Sequence, residues 1–257
     1  MEDLRRALDF MSRVENSCAE RIEPVRWGVM LFNDTFPKVY GFNFLRLEGA
    51  PLELDLDELL DELDELQGRA GHEHRHVVVE DEALGAALAP RFRTLGWDVA
   101  TLLVMGYRGE LDLPETGAGV GELTASELRD FRARSLAAGP AAKDPVATAQ
   151  LIDKDAVLAA SAGARFFGAL LEGRAVCCTD LYSDGVTAQI EAVLTLEPYR
   201  KRGFGRVVVA EALGTALAEG HDLVFLVADD EDWPKELYAR MGFEPLGRCY
   251  DFLKSPP

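Results

Sequence analysis

One loop of the sequence has the composition of an anion-binding site. Residues 200–206 contain four cations and no acid, although the chain of 257 residues has a formal net charge of −18. Gly203 and Gly205 would allow a ligand close to the backbone, and a helix predicted to begin at residue 204 would direct its positive end toward that ligand. The segment therefore predicts a phosphate-binding loop. A solvated basic loop before an ordinary helix is the alternative.

Two other phosphate-binding loops fit this segment poorly. A Walker loop requires Gly-Lys-Ser/Thr, which the segment lacks. A dinucleotide-binding fingerprint requires a third small residue where Val208 stands, and cations before the first glycine are foreign to it.

A second motif follows the loop, with a predicted helix, strand and helix start between them. The two motifs are Arg200-x-x-Gly203-x-Gly205 and Leu237-Tyr238-x-x-x-Gly242-Phe243. Together they resemble the GNAT acyl-CoA-dependent N-acetyltransferases, over residues 121–257 well and over residues 1–108 only weakly. The resemblance implies an α/β (α+β) fold with a mixed, mostly antiparallel sheet flanked by helices.

The resemblance also implies acetyl-CoA as cosubstrate and assigns no metal. The implied cofactor-binding residues are Val193, Leu194, Thr195, Arg200, Lys201, Arg202, Gly203, Phe204, Gly205 and Arg206. The main chain of the first three would pair with the pantetheine arm like an added strand. Backbone amides of residues 202–206 would hold the pyrophosphate, and Tyr238 would donate a proton or a hydrogen bond to the leaving sulfur.

Glu191 is the candidate general base. An amine with a pKa of ~10 is mostly protonated at neutral pH, so a base must remove a proton before attack. Gln189, Glu191 and Val193 alternate along a predicted strand and are expected to share one face, so Gln189 could orient a water between Glu191 and the amine. A backbone N–H of residues 193–195 could polarise the thioester. In the alternative interpretation, Glu191 is an exposed strand residue and Tyr238 a core aromatic.

Three further groups of residues are weaker candidates. His72, His74 and His76 have the spacing of metal ligands on an extended chain, but no cysteine or matched acid pair accompanies them, and we predict a structural role. The acids 229–232 would attract a cationic amine or simply begin a helix. Cys177 and Cys178 lack a nearby histidine and are poor nucleophile candidates.

A glycine-rich segment, residues 109–121, marks a predicted domain boundary. Residues 121–257 form the predicted acetyltransferase domain, and residues 1–110 form a smaller, degenerate GNAT-like domain. Both repeat the order helix, strand, helix, Gly-aromatic, strand. The first copy lacks a counterpart of the 200–206 loop and has Phe92 where the second has Tyr238, so we expect it to bind no CoA.

Periodicity and turn residues predict the remaining elements. Predicted helices cover residues 1–23, 53–67, 84–95, 147–162, 204–219 and 233–241, and another begins after Thr124, which would form a capping box with Glu127. Predicted strands cover residues 27–32, 42–47, 76–80, 98–107, 165–171, 174–182, 186–196, 223–228 and 244–253.

Composition limits the partners. The negative charge disfavours nucleic acid and anionic membrane surfaces, and the N-terminus has no apolar signal segment, so a cytoplasmic location is expected. The predicted reaction is direct acetyl transfer to an amine, on a small molecule or a protein N-terminus. A non-catalytic acyl-CoA sensor or interaction module is the alternative, and the oligomeric state stays open.

Overall fold

Helices and strands alternate along residues 2–111, 118–137 and 139–256, which are the residues that the computed structural model describes. The helices are α1 Glu2–Cys18, α2 Leu56–Arg69, α3 Glu82–Thr94, α4 Ala125–Leu136, α5 Pro145–Ala162, α6 Phe204–Ala218 and α7 Pro234–Arg240. The strands are β1 Arg21–Val25, β2 Gly28–Phe32, β3 Phe44–Leu47, β4 Arg75–Val79, β5 Asp98–Tyr107, β6 Gly119–Leu123, β7 Arg165–Leu171, β8 Arg174–Ser183, β9 Thr187–Thr195, β10 Leu223–Asp229 and β11 Phe243–Lys254.

A single sheet runs through both halves of the chain. Its strand order is β1-β2-β3-β4-β11-β5-β10-β9-β8-β7-β6. Only β3–β4 and β9–β10 pair in parallel, and the other neighbours are antiparallel. The predicted mixed, mostly antiparallel sheet flanked by helices is confirmed.

The last strand of each half is inserted beside the other half. β5 lies between β10 and β11, and β11 lies between β4 and β5. The predicted division into residues 1–110 and 121–257 stays a prediction. What the structure shows is that one sheet continues across that division. Residues 112–117 of the predicted boundary lie outside the described residues.

Helices cover both faces of the sheet. Side chains of α1, α4 and α5 share a core with Phe166, Phe225 and Cys249 on one face. On the other face, α2 and α3 pack on β4 and β11. Further along the sheet on the same face, α6 and α7 pack on the strands from β5 through β10 to β9. The sheet is thus buried on both sides where it carries the candidate site.

The first helix is shorter than predicted. The helix expected over residues 1–23 ends at Cys18, because Arg21–Val25 pairs antiparallel with Gly28–Phe32. Pro24 fits this position because β1 is an edge strand and its missing N–H is not needed by a second neighbour. By contrast, the predicted capping box is confirmed: Thr124 Oγ1 accepts from the Glu127 N–H, and the Glu127 carboxylate accepts from the Thr124 N–H.

Candidate functional site

The parallel strands β9 and β10 part near their carboxyl ends. Their pairing runs from Thr187 and Leu223 to Ile190 and Leu226 and stops there. On the other side, the register between β8 and β9 shifts between Cys178 and Asp180. Ala192 lies at this shift with φ +54°, which is a β-bulge. Among the described strands none pairs with residues 191–195 on the β10 side, so an edge of β9 is open there.

Because of the bulge, the prediction that Gln189, Glu191 and Val193 share one face is wrong for Val193. Gln189 and Glu191 do share a face, since Gln189 Nε2 donates to Glu191 Oε2 at 2.7 Å. Val193 does not, because it packs with Ile190 on the opposite face, against the cluster that contains Tyr238. Ala192 adds one residue to β9, so the alternation that a regular strand would give is broken.

The predicted phosphate-binding loop connects β9 to α6. A short 3₁₀ turn over Glu197–Tyr199 precedes it, and Lys201 and Gly203 have φ values of +61° and +83°. Gly203 is the N-cap of α6, and no side chain from the described residues caps this helix. The amides of its first turn are therefore available to an anion, and the helix dipole favours a negative charge at this point.

Side chains of the loop hold it in place. Phe204 is buried beneath the loop with Val208 and Val176. The guanidinium of Arg202 lies 5.2 Å from the Phe204 ring centre and 5.6 Å from that of Tyr199, within the range of a cation–π contact. Arg200 Nε donates to the Thr195 carbonyl at 3.2 Å, which ties the loop to the end of β9.

Three cations of the loop face solvent. Arg200, Lys201 and Arg202 are exposed, and within the described part of the chain they form no ion pair. The corresponding helix of the first half, α2, differs: Asp55 caps it by accepting from the amides of Asp57 and Glu58. A carboxylate of the chain thus caps the helix in the first half, whereas among the described residues no side chain takes that position at the start of α6.

Glu191 lies half-buried at the bulge. Burial raises its pKa from the usual value, and the nearby Asp180 carboxylate adds to that rise, while the Ala192 N–H and Gln189 oppose it. A carboxylate with a raised pKa is a better proton acceptor near neutral pH than an ordinary glutamate.

Tyr238 lies on α7 beside the gap between β9 and β10. It is 7 % exposed, and its ring meets Phe243 edge to face at 6.3 Å. Burial, and after it the charge of Glu191, raises its pKa to about 12. The hydroxyl therefore keeps its proton, and donating a hydrogen bond suits it better than giving a proton to a thiolate, since thiol pKa values lie near ~8.5.

The two adjacent cysteines are buried and poorly suited to nucleophilic attack. Burial raises the pKa of Cys177 to about 11 and that of Cys178 further. Thr195 Oγ1 donates to Cys177 Sγ at 3.1 Å. Because the thiolate is the reactive form, these thiols are inert at neutral pH.

The three histidines serve the packing of the first half. All are buried, and the rings of Tyr40, His74 and His72 stack in a row, with centres 4.0 Å and 5.2 Å apart. His76 Nε2 is hydrogen-bonded to Asp251 Oδ2 at 2.8 Å. Among the described residues, no group of three His, Cys, Asp or Glu side chains is arranged to hold a metal ion.

The acids that follow β10 are largely engaged. Asp230 accepts from Arg248 at 2.7 Å and pairs with Lys235 at 3.0 Å, and Glu231 pairs with Arg93 at 3.2 Å. Asp229 and Asp232 accept from backbone amides of the same turn. These contacts favour the structural interpretation of the cluster.

Sequence reasoning missed a buried ionic cluster behind Glu191. It consists of Arg132 on α4, Asp155 on α5 and Asp180 on β8, and all three are buried. The available signal was a lone acid in the mostly apolar segment 175–182, but the partners are distant in sequence and could not be paired with it.

Residues 127–243 match the sequence profile of the Acetyltransferase (GNAT) family. This part of the chain is a GNAT domain. A curated relative, the uncharacterized N-acetyltransferase CgeE of Bacillus subtilis (strain 168), is 31 % identical over 75 residues, which are 28 % of this chain and 29 % of the relative. The chain thus matches less than a third of the length of that relative.

Solved structures resemble the chain over most of its length. A functionally unknown conserved protein from Staphylococcus epidermidis ATCC 12228 has a TM-score of 0.70 at 18 % identity, over 93 % of this chain and 95 % of that one. A GCN5-related N-acetyltransferase from Kribbella flavida has a TM-score of 0.60 at 19 % identity, over 98 % and 95 %. A tandem GNAT protein from the clavulanic acid biosynthesis pathway has a TM-score of 0.56 at 14 % identity, over 100 % and 95 %. At these identities the likeness concerns the fold, and it extends over both halves.

No helix in the described part of the chain has the length and apolar character that crossing a bilayer requires.

Proposed function

We propose that the protein is an N-acetyltransferase that transfers acetyl from acetyl-CoA to an amine by direct attack in a ternary complex. The observation that carries the proposal is the open edge of β9, with the uncapped start of α6 at its end and Glu191 and Tyr238 near it. Membership of the GNAT family supports acyl transfer in general.

The loop fits the diphosphate of CoA. The amides at the start of α6 and the cations Arg200, Lys201 and Arg202 would bind it, as anions bind at helix N-termini. The main chain of Val193 and Leu194 would pair with the pantetheine arm along the open edge, as a peptide adds to the edge of a sheet. The Thr195 carbonyl already accepts from Arg200, so we assign that residue a smaller part in the pairing.

In the proposed reaction, Glu191 accepts a proton from the ammonium of the acceptor, directly or through a water held by Gln189. The amine nitrogen then bonds to the thioester carbon, the C–S bond breaks, and the second amine proton is lost as the amide forms. Tyr238 would donate a hydrogen bond to the departing sulfur, which takes up a proton to become the free thiol. Holding the two substrates together supplies much of the rate.

The acceptor is proposed to be an amine on a small molecule or on a protein N-terminus. The charge of −18 makes nucleic acid and anionic membrane surfaces unsuitable partners. We further propose that the protein acts in the cytoplasm, and its four cysteines, which are free thiols, are compatible with a reducing compartment.

The test is release of free thiol from acetyl-CoA across a panel of primary amines. We expect turnover with at least one amine, and we expect Glu191→Gln to lower kcat/KM by about 100-fold, the contribution of a general base. Glu197→Gln, at an exposed position of the 3₁₀ turn that follows β9, is the matched control. If calorimetry shows that CoA binds but no amine is acetylated, the proposed enzymatic function would be wrong and the acyl-CoA sensor would be the better interpretation.

A further inference from the structure

Two carboxylates face each other on the side of the sheet that α1, α4 and α5 cover. Asp180 on β8 is the register partner of Glu191 on β9. Directly opposed residues of an antiparallel pair have Cβ atoms ~5 Å apart on one face. Asp180 is 0 % exposed, whereas Glu191 is half-buried, so Asp180 lies behind the candidate base and away from solvent.

Arg132 holds Asp180 in this place. Arg132 Nη2 donates to Asp180 Oδ1 at 2.9 Å, and Arg132 Nε donates to Asp155 Oδ2 at 2.7 Å. The other carboxylate oxygens, Asp180 Oδ2 and Asp155 Oδ1, form no hydrogen bond within the described residues. One guanidinium is thus shared by two buried carboxylates, and the Lys154 ammonium lies 3.9 Å from Asp155 Oδ1. Of the two carboxylates, Asp180 is the one that stands directly opposite Glu191.

Glu191 has few other charged neighbours. Gln189 donates to it from its own strand, and Lys154 of α5 is the positive charge that acts on it. Glu191 also influences three titratable groups on the surrounding elements, Tyr182 on β8, Tyr238 on α7 and Cys249 on β11. All three are neutral at neutral pH. Asp180 is therefore the nearby anion that acts on Glu191. Burial raises the pKa of Asp180 to about 6, and the guanidinium of Arg132, which donates to Asp180 Oδ1, opposes that rise and favours the carboxylate.

We propose that Asp180 is a positioning residue for the acetyl transfer: by holding a fixed negative charge opposite Glu191, it keeps Glu191 ready to accept the proton of the acceptor amine. The inference rests on the proposed function, in which Glu191 is the base. Asp155, which binds the same guanidinium but is not opposite Glu191, would serve only the packing of the cluster.

The test is a titration of the Glu191 side-chain carboxyl by carbon-13 NMR of the full chain, with the signal assigned from Glu191→Gln. Asp180→Asn removes the opposing charge, so the titration midpoint of Glu191 should fall by about one pH unit. Asp155→Asn, a matched loss of one buried partner of Arg132, should leave the midpoint unchanged. An unchanged midpoint in Asp180→Asn, or an equal shift in both variants, would overturn the proposal.

The kinetic consequence is a second readout. In Asp180→Asn the acid limb of the kcat/KM profile should move to lower pH by the same amount, and in Asp155→Asn it should stay. If no amine is acetylated, the proposed function fails, while the NMR titration still decides whether Asp180 acts on Glu191. Should Asp180→Asn not fold, Asp180→Asn with Arg132→Gln avoids an unpaired buried cation. Asp180, and not Arg132, is the register partner of Glu191, so the Glu191 midpoint should still fall in this protein, and a midpoint that is not lowered would contradict the proposal.

Discussion

At the scale of single residues, the site depends on backbone conformation as much as on side-chain chemistry. Ala192, Lys201 and Gly203 all have positive φ, at +54°, +61° and +83°. For the two non-glycine residues this conformation costs roughly 1–2 kcal/mol each. Ala192 forms the bulge that opens the edge of β9, and Lys201 lies in the turn before α6, so two of the three described non-glycine residues with positive φ lie at features that a ligand would use; the third, Glu172, lies in the turn between β7 and β8.

Charge reversal in the loop should weaken cofactor binding. We expect Arg202→Glu to lower the affinity for CoA by at least about tenfold, because an exposed cation at the uncapped helix start is replaced by an anion. Arg5→Glu, at an exposed position of α1, changes the net charge equally and should bind CoA as the natural protein does. Isothermal calorimetry measures both, and equal affinities for the two variants would exclude the loop as the phosphate site.

Loss of the Tyr238 hydroxyl should affect turnover more than binding. Tyr238→Phe keeps the ring against Phe243 but removes the hydrogen bond to the developing thiolate, a contribution of about 1.5–3 kcal/mol. We therefore expect kcat to fall roughly 10- to 100-fold with an unchanged Kd for CoA. A variant with normal kcat would mean that Tyr238 is only a core aromatic.

At the scale of elements, local sequence patterns predicted most helices and strands, but they could not predict how distant strands pair. The capping box at Thr124 and the ten-residue strand Asp98–Tyr107 lie where the sequence predicts them. The edge strand Arg21–Val25 was missed because its residues continue the pattern of the preceding helix. The insertion of β5 beside β10 depends on pairing between residues more than 100 positions apart, for example Met105 and Leu226, which no local pattern encodes.

The candidate site likewise combines features that local sequence predicts with features that it does not. The loop at 200–206 could be predicted because all its determinants are contiguous. The bulge at Ala192 reversed the expected face of Val193, because one extra residue in a strand has no sequence signal of its own. The pairing of Asp180 with Arg132 was likewise beyond reach, since it joins β8 to α4 across the core.

The packing of α3 on the inserted strand β11 can be tested at Gly85. A Cβ at this position would overlap the ring of Tyr250, so Gly85→Ala forces the helix and strand apart and should lower the free energy of unfolding by about 1–3 kcal/mol. Gly41→Ala is the control, because a Cβ there meets no atom within 4 Å and the φ of Gly41 is not positive. Equal urea midpoints for the two variants would contradict this packing.

At the scale of the whole molecule, several buried groups bind protons more tightly in the folded state. Burial raises the pKa of Glu15 to about 7 against the opposing charge of Arg46, and raises that of Asp180 to about 6. His76 also has a raised pKa, because Asp251 outweighs its burial. A group whose pKa is higher in the folded state contributes stability below its unfolded pKa and loses it as pH rises through the folded value.

Glu15 should therefore stabilise the protein more at pH 5.5 than at pH 8, whereas His72 and His74, whose pKa values burial lowers, act in the opposite sense. Between these pH values, we expect the natural protein to lose on the order of 1–2 kcal/mol more unfolding free energy in urea than Glu15→Gln loses. Glu53→Gln, at an exposed position, should behave as the natural protein does. Equal changes in the natural protein and in Glu15→Gln would show that Glu15 is not protonated preferentially in the folded state.

The mutual insertion of β5 and β11 gives the molecule an approximate two-fold axis. Read outward from the β5–β11 pair, the order β10, β9, β8, β7 on one side matches β4, β3, β2, β1 on the other, with the same parallel and antiparallel pairings. An isologous homodimer would have the same symmetry of strand order. Among the described residues, α2 is capped by Asp55 and α6 by no side chain, so the two halves differ in chemistry more than in architecture.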